Sequence, residues 1–247
     1  MNPPVVLITG ALTGIGRAAA LAFAREGARI LVSGRHEEAG GSLVEELRGM
    51  RAEALFQRTD VSREDEVRSL IDRAVASFGR LDVAINNAGT EGQSAPVTEQ
   101  SVASYHATFD TNVLGTLLGM KHQLRIMQPQ GSGSVINISS SLGQRGRAGS
   151  AIYSASKHAV EGLTRSAALE AAPYGVRVNA IAPGPIDTDM FTRFTGSAER
   201  KAAMVANMPV KRMGRPEEVA QAIVFLASDK ASFITGQIIG VDGGRMA

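Results

Sequence analysis

The sequence predicts an α/β fold: a single doubly wound domain over residues 1–247, built on a seven-stranded parallel sheet. Three observations predict it. Short apolar runs alternate with helical stretches of roughly 10–20 residues, the order that right-handed βαβ crossovers impose. The apolar runs are continuous, as strands covered on both faces require. No linker, repeat or low-complexity stretch interrupts the series.

The elements follow in order. Val5 to Thr9 is the first strand, with Gly10 behind it. Ile15 to Arg25 is alanine-rich and helical, and Gly27 is placed as its C-cap. Ala28 to Ser33 is the second strand, and Glu38 to Met50 a helix with Leu43, Val44 and Leu47 on one face. Ala52 to Phe56 is the third strand. Ser62 precedes Glu64-Asp65-Glu66 and reads as the N-cap of a helix that runs to Phe78, where Gly79 stops it. Leu81 to Asn86 is the fourth strand, and a Gly/Ser/Pro-rich loop follows to Pro96. A long helix is expected over Phe109 to Met127, then a turn at Pro129-Gln130-Gly131. Ser134 to Ser139 is the fifth strand, Ile152 to Tyr174 a helix and Val176 to Ala182 the sixth strand. Pro183-Gly184-Pro185 breaks the chain. Pro216 takes the N1 position of a helix that turns Val219, Ile223 and Leu226 inward. Gln237 to Val241 is the last strand.

Asp187 to Gly214 does not fit the alternation. It follows a strand's C-terminal end, the edge where such sheets bind ligands, and reads as a lid over a substrate. Met190, Phe191, Phe194 and Met204 give it an adaptable apolar face. Packing against the last helices is the competing use of those side chains.

Composition excludes several classes. A chain of 247 residues without cysteine has no disulfide framework, thiolate metal site or cysteine nucleophile, and fits a cytoplasmic protein. No metal site is expected. No apolar run approaches the roughly 20 residues of a membrane helix, and MNPPVVLITG lacks the pattern of a secretory signal. Lys+Arg 26 against Asp+Glu 24 leaves +2, too small an excess for a nucleic-acid surface. Glycine is the outlier at 27 residues, well above an average of about 7%.

Those glycines concentrate where chemistry is expected. Thr9-Gly10-Ala11-Leu12-Thr13-Gly14-Ile15-Gly16 joins the first strand to the first helix. Such a loop turns sharply, lets backbone approach a pyrophosphate and offers it a helix N-terminus. The G-x-x-x-G-x-G spacing departs from the general G-x-G-x-x-G and points to a particular branch of dinucleotide folds. Cofactor choice is read after the second strand, at Ser33-Gly34-Arg35-His36, where no acid stands ready for a ribose 2′-OH. Arg35 with Ser33 reads as a clamp for a 2′-phosphate, favouring NADP(H). Thr13 supplies no basic partner, so NAD(H), with Arg35 stacked on adenine, stays open. Asp60-Val61 ends the third strand and either meets the adenine edge or caps the next helix.

Tyr153 and Lys157 are four apart on a helix and share a face. An ammonium beside a phenol favours the phenolate, which suits the pair to proton transfer. Ser140, at the end of the fifth strand, is placed to hold a substrate oxygen. This trio fits carbonyl and alcohol chemistry beside a hydride donor.

Together these motifs resemble the short-chain dehydrogenase/reductase family along essentially the whole chain. The glycine loop, Asn86-Asn87-Ala88-Gly89, Asn112, Ser140, Tyr153-x-x-x-Lys157 and Pro183-Gly184 occur in the family's order. The resemblance implies a Rossmann-type domain and a nicotinamide cofactor. It makes Tyr153 the general acid/base, Lys157 its partner and a ligand of the nicotinamide ribose, Ser140 the carbonyl anchor and Asn112 part of a proton relay. Asn87, Ala88 and Gly89 would line the cofactor, and Ile186 and Thr188, after Pro183-Gly184, would meet the carboxamide. It also implies a homotetramer. The substrate would be a small ketone or secondary alcohol held by Ser140, Gln144, Tyr153, Met190, Phe191 and Phe194. The alternative within the family is a 3-oxoacyl-acyl-carrier-protein reductase or a sugar dehydrogenase. The basic residues from Arg193 to Arg215 read as solvated surface or as a site for an acidic carrier or phosphorylated substrate.

Overall fold

The computed structural model describes residues 3–247. Its strands are β1 (Val5–Ile8), β2 (Arg29–Gly34), β3 (Ala54–Arg58), β4 (Val83–Asn86), β5 (Gly133–Ile138), β6 (Val176–Pro183) and β7 (Ile238–Val241). Its helices are α1 (Gly14–Arg25), α2 (Glu37–Gly49), α3 (Glu64–Phe78), α4 (Val102–Phe109), α5 (Gly115–Gln130), α6 (Ala151–Ala171), α7 (Asp189–Thr195), α8 (Ala198–Ala206) and α9 (Pro216–Ala227).

The strands form one seven-stranded sheet in the order β3-β2-β1-β4-β5-β6-β7. Every pairing is parallel. The order reverses between β1 and β4, and a crevice opens beyond the C-terminal ends of those strands, where β1 delivers the glycine loop. Successive β1 side chains point to opposite faces. Val6 and Ile8 pack with α1, α2 and α9. Val5 and Leu7 pack with α3, α5 and α6. All four are fully buried, which explains why the strand reads as a continuous apolar run.

Most expected elements stand within two residues of their places, and the departures have physical causes. Ser62 does not cap α3; Arg63 does, and Ser62 gives its amide and hydroxyl to Asp60 Oδ1 at 3.0 and 2.7 Å. The long helix starts at Val102, not Phe109, because Ser101 Oγ accepts the Ser104 amide at 3.1 Å. One π turn over Asp110–Leu114 joins α4 to α5. Pro129 lies inside α5 rather than in a turn. Its missing N–H falls in the last turn, which Gln130 secures by clasping the Leu81 backbone at 3.1 and 2.8 Å.

The segment after β6 is helical. Thr188 caps α7 and Ser197 caps α8, each accepting a backbone amide at 3.2 Å. An isolated bridge between Ile186 and Gly214 pins the two ends of this excursion together.

Candidate active site

The glycine loop is shaped by close approach. Gly10 has φ +63°, and a Cβ there would lie 2.7 Å from Ala88 Cα. Asn87 binds the loop to β4: its Nδ2 donates to Thr9 O at 3.0 Å and Gly10 O at 2.8 Å. Gly16 packs directly under the Asn87 side chain and the Gly10 carbonyl. The start of α1 remains open: Thr13 makes no side-chain cap, and its first turn contains no acid. Those free amides and the positive helix end suit a pyrophosphate, so the residues present fit a dinucleotide.

A cavity of about 750 Å³ runs from this loop to α7 and α8. Gly10, Thr13, Gly14 and Ile15 wall one end. Arg35, His36, Asp60 and Val61 flank it, and Asn87, Ala88 and Gly89 form its floor. Burial works against the charge of Asp60. Its bonds from Ser62 and the charges of Arg35 and Arg58 outweigh that and hold its carboxyl below the usual range. Ser140, Tyr153 and Lys157 meet near the middle. Pro183, Gly184, Ile186 and Thr188 close the side, and Met190, Phe191, Phe194 and Met204 close the far end.

Four expected residues stand off this wall. Gly16 lies beneath the loop. Ser33 is buried with its hydroxyl unpartnered, which leaves Arg35 without the second half of the expected clamp. Gln144 is exposed, carried away by the turn after Ser141–Gly143. Asn112 is fully buried behind Thr90: its Oδ1 accepts the Thr90 amide at 2.8 Å, and its Nδ2 donates to Thr90 O at 2.9 Å and to Ser156 Oγ at 3.0 Å. Ser156 Oγ in turn donates to Tyr153 O at 2.7 Å, so Asn112 braces both the floor and the tyrosine's turn.

The proton-transfer groups sit in a dry wall. Lys157 Nζ donates to Ile138 O at 2.8 Å and lies 5.7 Å from the Tyr153 ring centroid. Burial pushes the Lys157 ammonium down to about 8. Burial likewise pushes the Tyr153 phenol up to about 12, against a hydrogen bond with Ser140 that favours ionisation. Desolvation of the phenolate outweighs that bond, and the charge of Glu91 adds to the rise.

Among the wall residues that sequence reasoning passed over, three carry charge near the substrate end. Glu91 holds Arg193 at 2.7 Å across the cavity mouth. Arg147 rests its guanidinium 4.3 Å from the Phe194 ring centroid, and Arg245 approaches from the end of the chain. Only their proximity to Asn87-Ala88-Gly89 and Ser140 could have marked Glu91 and Arg147. Nothing in the sequence marked Arg245.

The site has known counterparts. A family described as enoyl-(acyl carrier protein) reductase matches residues 10–245. A cis-4-hydroxycyclohexanecarboxylate dehydrogenase of Sinomonas cyclohexanicum is 46% identical over 98% of this chain and 96% of its own. A cyclohexanol dehydrogenase of Acinetobacter sp. (strain SE19) is 36% identical over 98% of this chain and 94% of its own. The solved structure of ElxO with NADP bound superposes with a TM-score of 0.93 at 35% identity, covering 99% of both chains. The glycine loop, the crevice and these full-length matches agree: the chain belongs to the short-chain dehydrogenase/reductase family, nicotinamide-linked oxidoreductases acting on CH–OH groups.

Proposed function

We propose that the chain is an NADP(H)-dependent enzyme that interconverts a cyclic ketone and its secondary alcohol, working in the cytoplasm as a homotetramer. One observation carries the reading: Ser140, Tyr153 and Lys157 converge on a cavity whose other end is the glycine loop. The ring-alcohol relatives support the substrate class. Arg35, on the cavity wall with no acid following β2 until Glu37, supports the 2′-phosphate. The segment 187–214 serves as a lid whose aromatic residues cover the ring.

A bound nicotinamide supplies the hydride in reduction and accepts it in oxidation. Ser140 Oγ donates to the carbonyl oxygen and fixes the carbonyl against the tyrosine. Tyr153 Oη gives its proton to that oxygen as the new C–H bond forms. With its phenol at about 12, Tyr153 holds that proton throughout the neutral range. Lys157 then balances the phenolate left behind, and with its ammonium at about 8 it still carries its charge at neutral pH. Oxidation runs the same steps backwards. Phe191 and Phe194 exclude water from the reacting atoms.

Steady-state assays with NADPH and NADH test this against cyclohexanone, a free sugar, a carrier-bound 3-oxoacyl thioester and an enoyl thioester. Cyclohexanone with NADPH should give the highest kcat/KM. Preference for either thioester or the sugar overturns the substrate class, and preference for NADH overturns the cofactor assignment.

A further inference from the structure

We propose that Arg147 and Arg245 form a carboxylate-binding subsite, so that the preferred substrate is a ring ketone or alcohol bearing a carboxylate on its far side. This rests on the ketone-reducing reading above and names the charge its substrate carries.

The positive side chains around the substrate end fall into two groups. Arg193 is paired with Glu91, Lys201 with Asp187 and Arg212 with Glu218, each at 2.7 Å. Arg145, Arg147, Arg200 and Arg245 form no ion pair among the described residues. Arg147 and Arg245 nevertheless face the cavity. The Arg145 Nε is buried with no hydrogen-bond partner. The charge of Asp242 acts on Arg245, but its two oxygens accept the Gly244 and Met246 amides, each at 3.0 Å. Among the described residues, the Arg245 side chain donates only to the Met208 sulfur, at 3.5 Å.

Clustered arginines repel one another, and water is a poor substitute for an anion once they are partly buried. Burial, then Arg200 and Arg145, hold Arg147 below the ordinary guanidinium range. Burial, then Arg145 and Arg147, do the same to Arg245. A carboxylate between the two forks relieves both penalties through charge-assisted, bidentate bonds.

Position selects the ligand. The Phe194 ring lies 6.0 Å from the Tyr153 ring, and the Arg147 guanidinium rests 4.3 Å from the Phe194 centroid. A six-membered ring with its carbonyl at Tyr153 therefore lies against Phe194 and directs its far substituent at the arginines. The cofactor's own anionic groups are served elsewhere, at the start of α1 and beside Arg35.

The test compares 4-oxocyclohexanecarboxylate with 4-methylcyclohexanone in wild type, Arg147→Gln, Arg147→Lys and Arg245→Gln. Wild-type kcat/KM should favour the carboxylate at least tenfold. Each glutamine variant should lower that ratio at least fivefold, chiefly through KM, and Arg147→Lys should keep part of it. A wild-type ratio near one, equal losses on both ketones, or a carrier-bound 3-oxoacyl thioester preferred over both overturns the subsite. Failure to reduce either ketone defeats the reductase reading itself. Calorimetry of cyclohexanecarboxylate binding to the NADP-loaded enzyme then decides the subsite alone. Wild-type binding that weakens in Arg245→Gln supports it, and no wild-type binding or equal affinity in both overturns it.

Discussion

At the residue scale, function turns on two desolvated groups with opposite needs. Positioned proton transfer contributes roughly 10²–10⁴-fold. Tyr153→Phe should cost a factor in that range in turnover while the NADP(H) dissociation constant, read by fluorescence titration, stays within about twofold. Reduction needs a protonated Tyr153 and a charged Lys157, so its kcat/KM should fall as pH rises through about 8. Oxidation needs the phenolate and should rise with pH. A reduction profile flat from pH 7 to 10 contradicts the assignment. The same lysine shapes stability. Its folded-state value lies below the ordinary 10.5, so below about pH 8 the fold bears the cost of a buried charge. That cost is relieved as pH rises from about 8 to about 10.5, where only the unfolded chain binds the extra proton. Lys157→Met should remove this rise, seen as a smaller gain in Tm from pH 7.5 to 9.5 than wild type shows. At the cofactor's adenosine end, Arg35→Asp should raise the KM for NADPH at least tenfold and leave that for NADH unchanged or lower. Equal effects on both would assign Arg35 to the solvated rim.

At the element scale, the junction of β1, α1 and β4 is the mechanical core of the site. Asn87 supplies the donors for Thr9 O and Gly10 O, and Gly16 allows α1 to close upon them. Adding a methyl group at Gly16 drives a wedge between the helix and a backbone carbonyl that has no freedom to retreat. Overpacking of this kind costs about 1–3 kcal/mol. Gly16→Ala should therefore lower Tm by several degrees and weaken cofactor binding together; loss of one without the other would separate the loop from the helix seat. The π turn at Asp110–Leu114 was not legible in the sequence, because neighbours rather than local propensity call for it. It places the Asn112 side chain between Thr90 and Ser156, two partners far apart in sequence. The true start of α4 was missed because Ser101 caps a segment, Val102–Phe109, whose side chains are mostly exposed and whose apolar period is weak.

At the scale of the whole molecule, two cores sandwich one sheet, and the surface they leave is uneven. Leu169 and Tyr174 from the α6 region, Phe225 on α9 and Phe233 before β7 are exposed, and Phe233 is wholly so. Exposed apolar side chains of this size are a cost to an isolated chain. In the proposed homotetramer these side chains would be covered. Phe225→Glu with Phe233→Glu should shift the species in light scattering from tetramer toward smaller units. A double variant that stays tetrameric places the interface elsewhere.

The sequence by itself determined the sheet, the order of its elements and the glycine, serine, tyrosine and lysine motifs. Continuous apolar runs, helix caps and short-range spacings are local signals, and they survive without a partner. Only the tertiary structure decided that Ser33 and Gln144 leave the wall, that Asn112 braces rather than lines it, and that Tyr153 is raised rather than lowered. It also decided that Arg147 and Arg245, nearly a hundred residues apart, face one cavity. Burial and charge pairing depend on which distant surfaces meet, and that information resides in packing rather than in neighbouring letters.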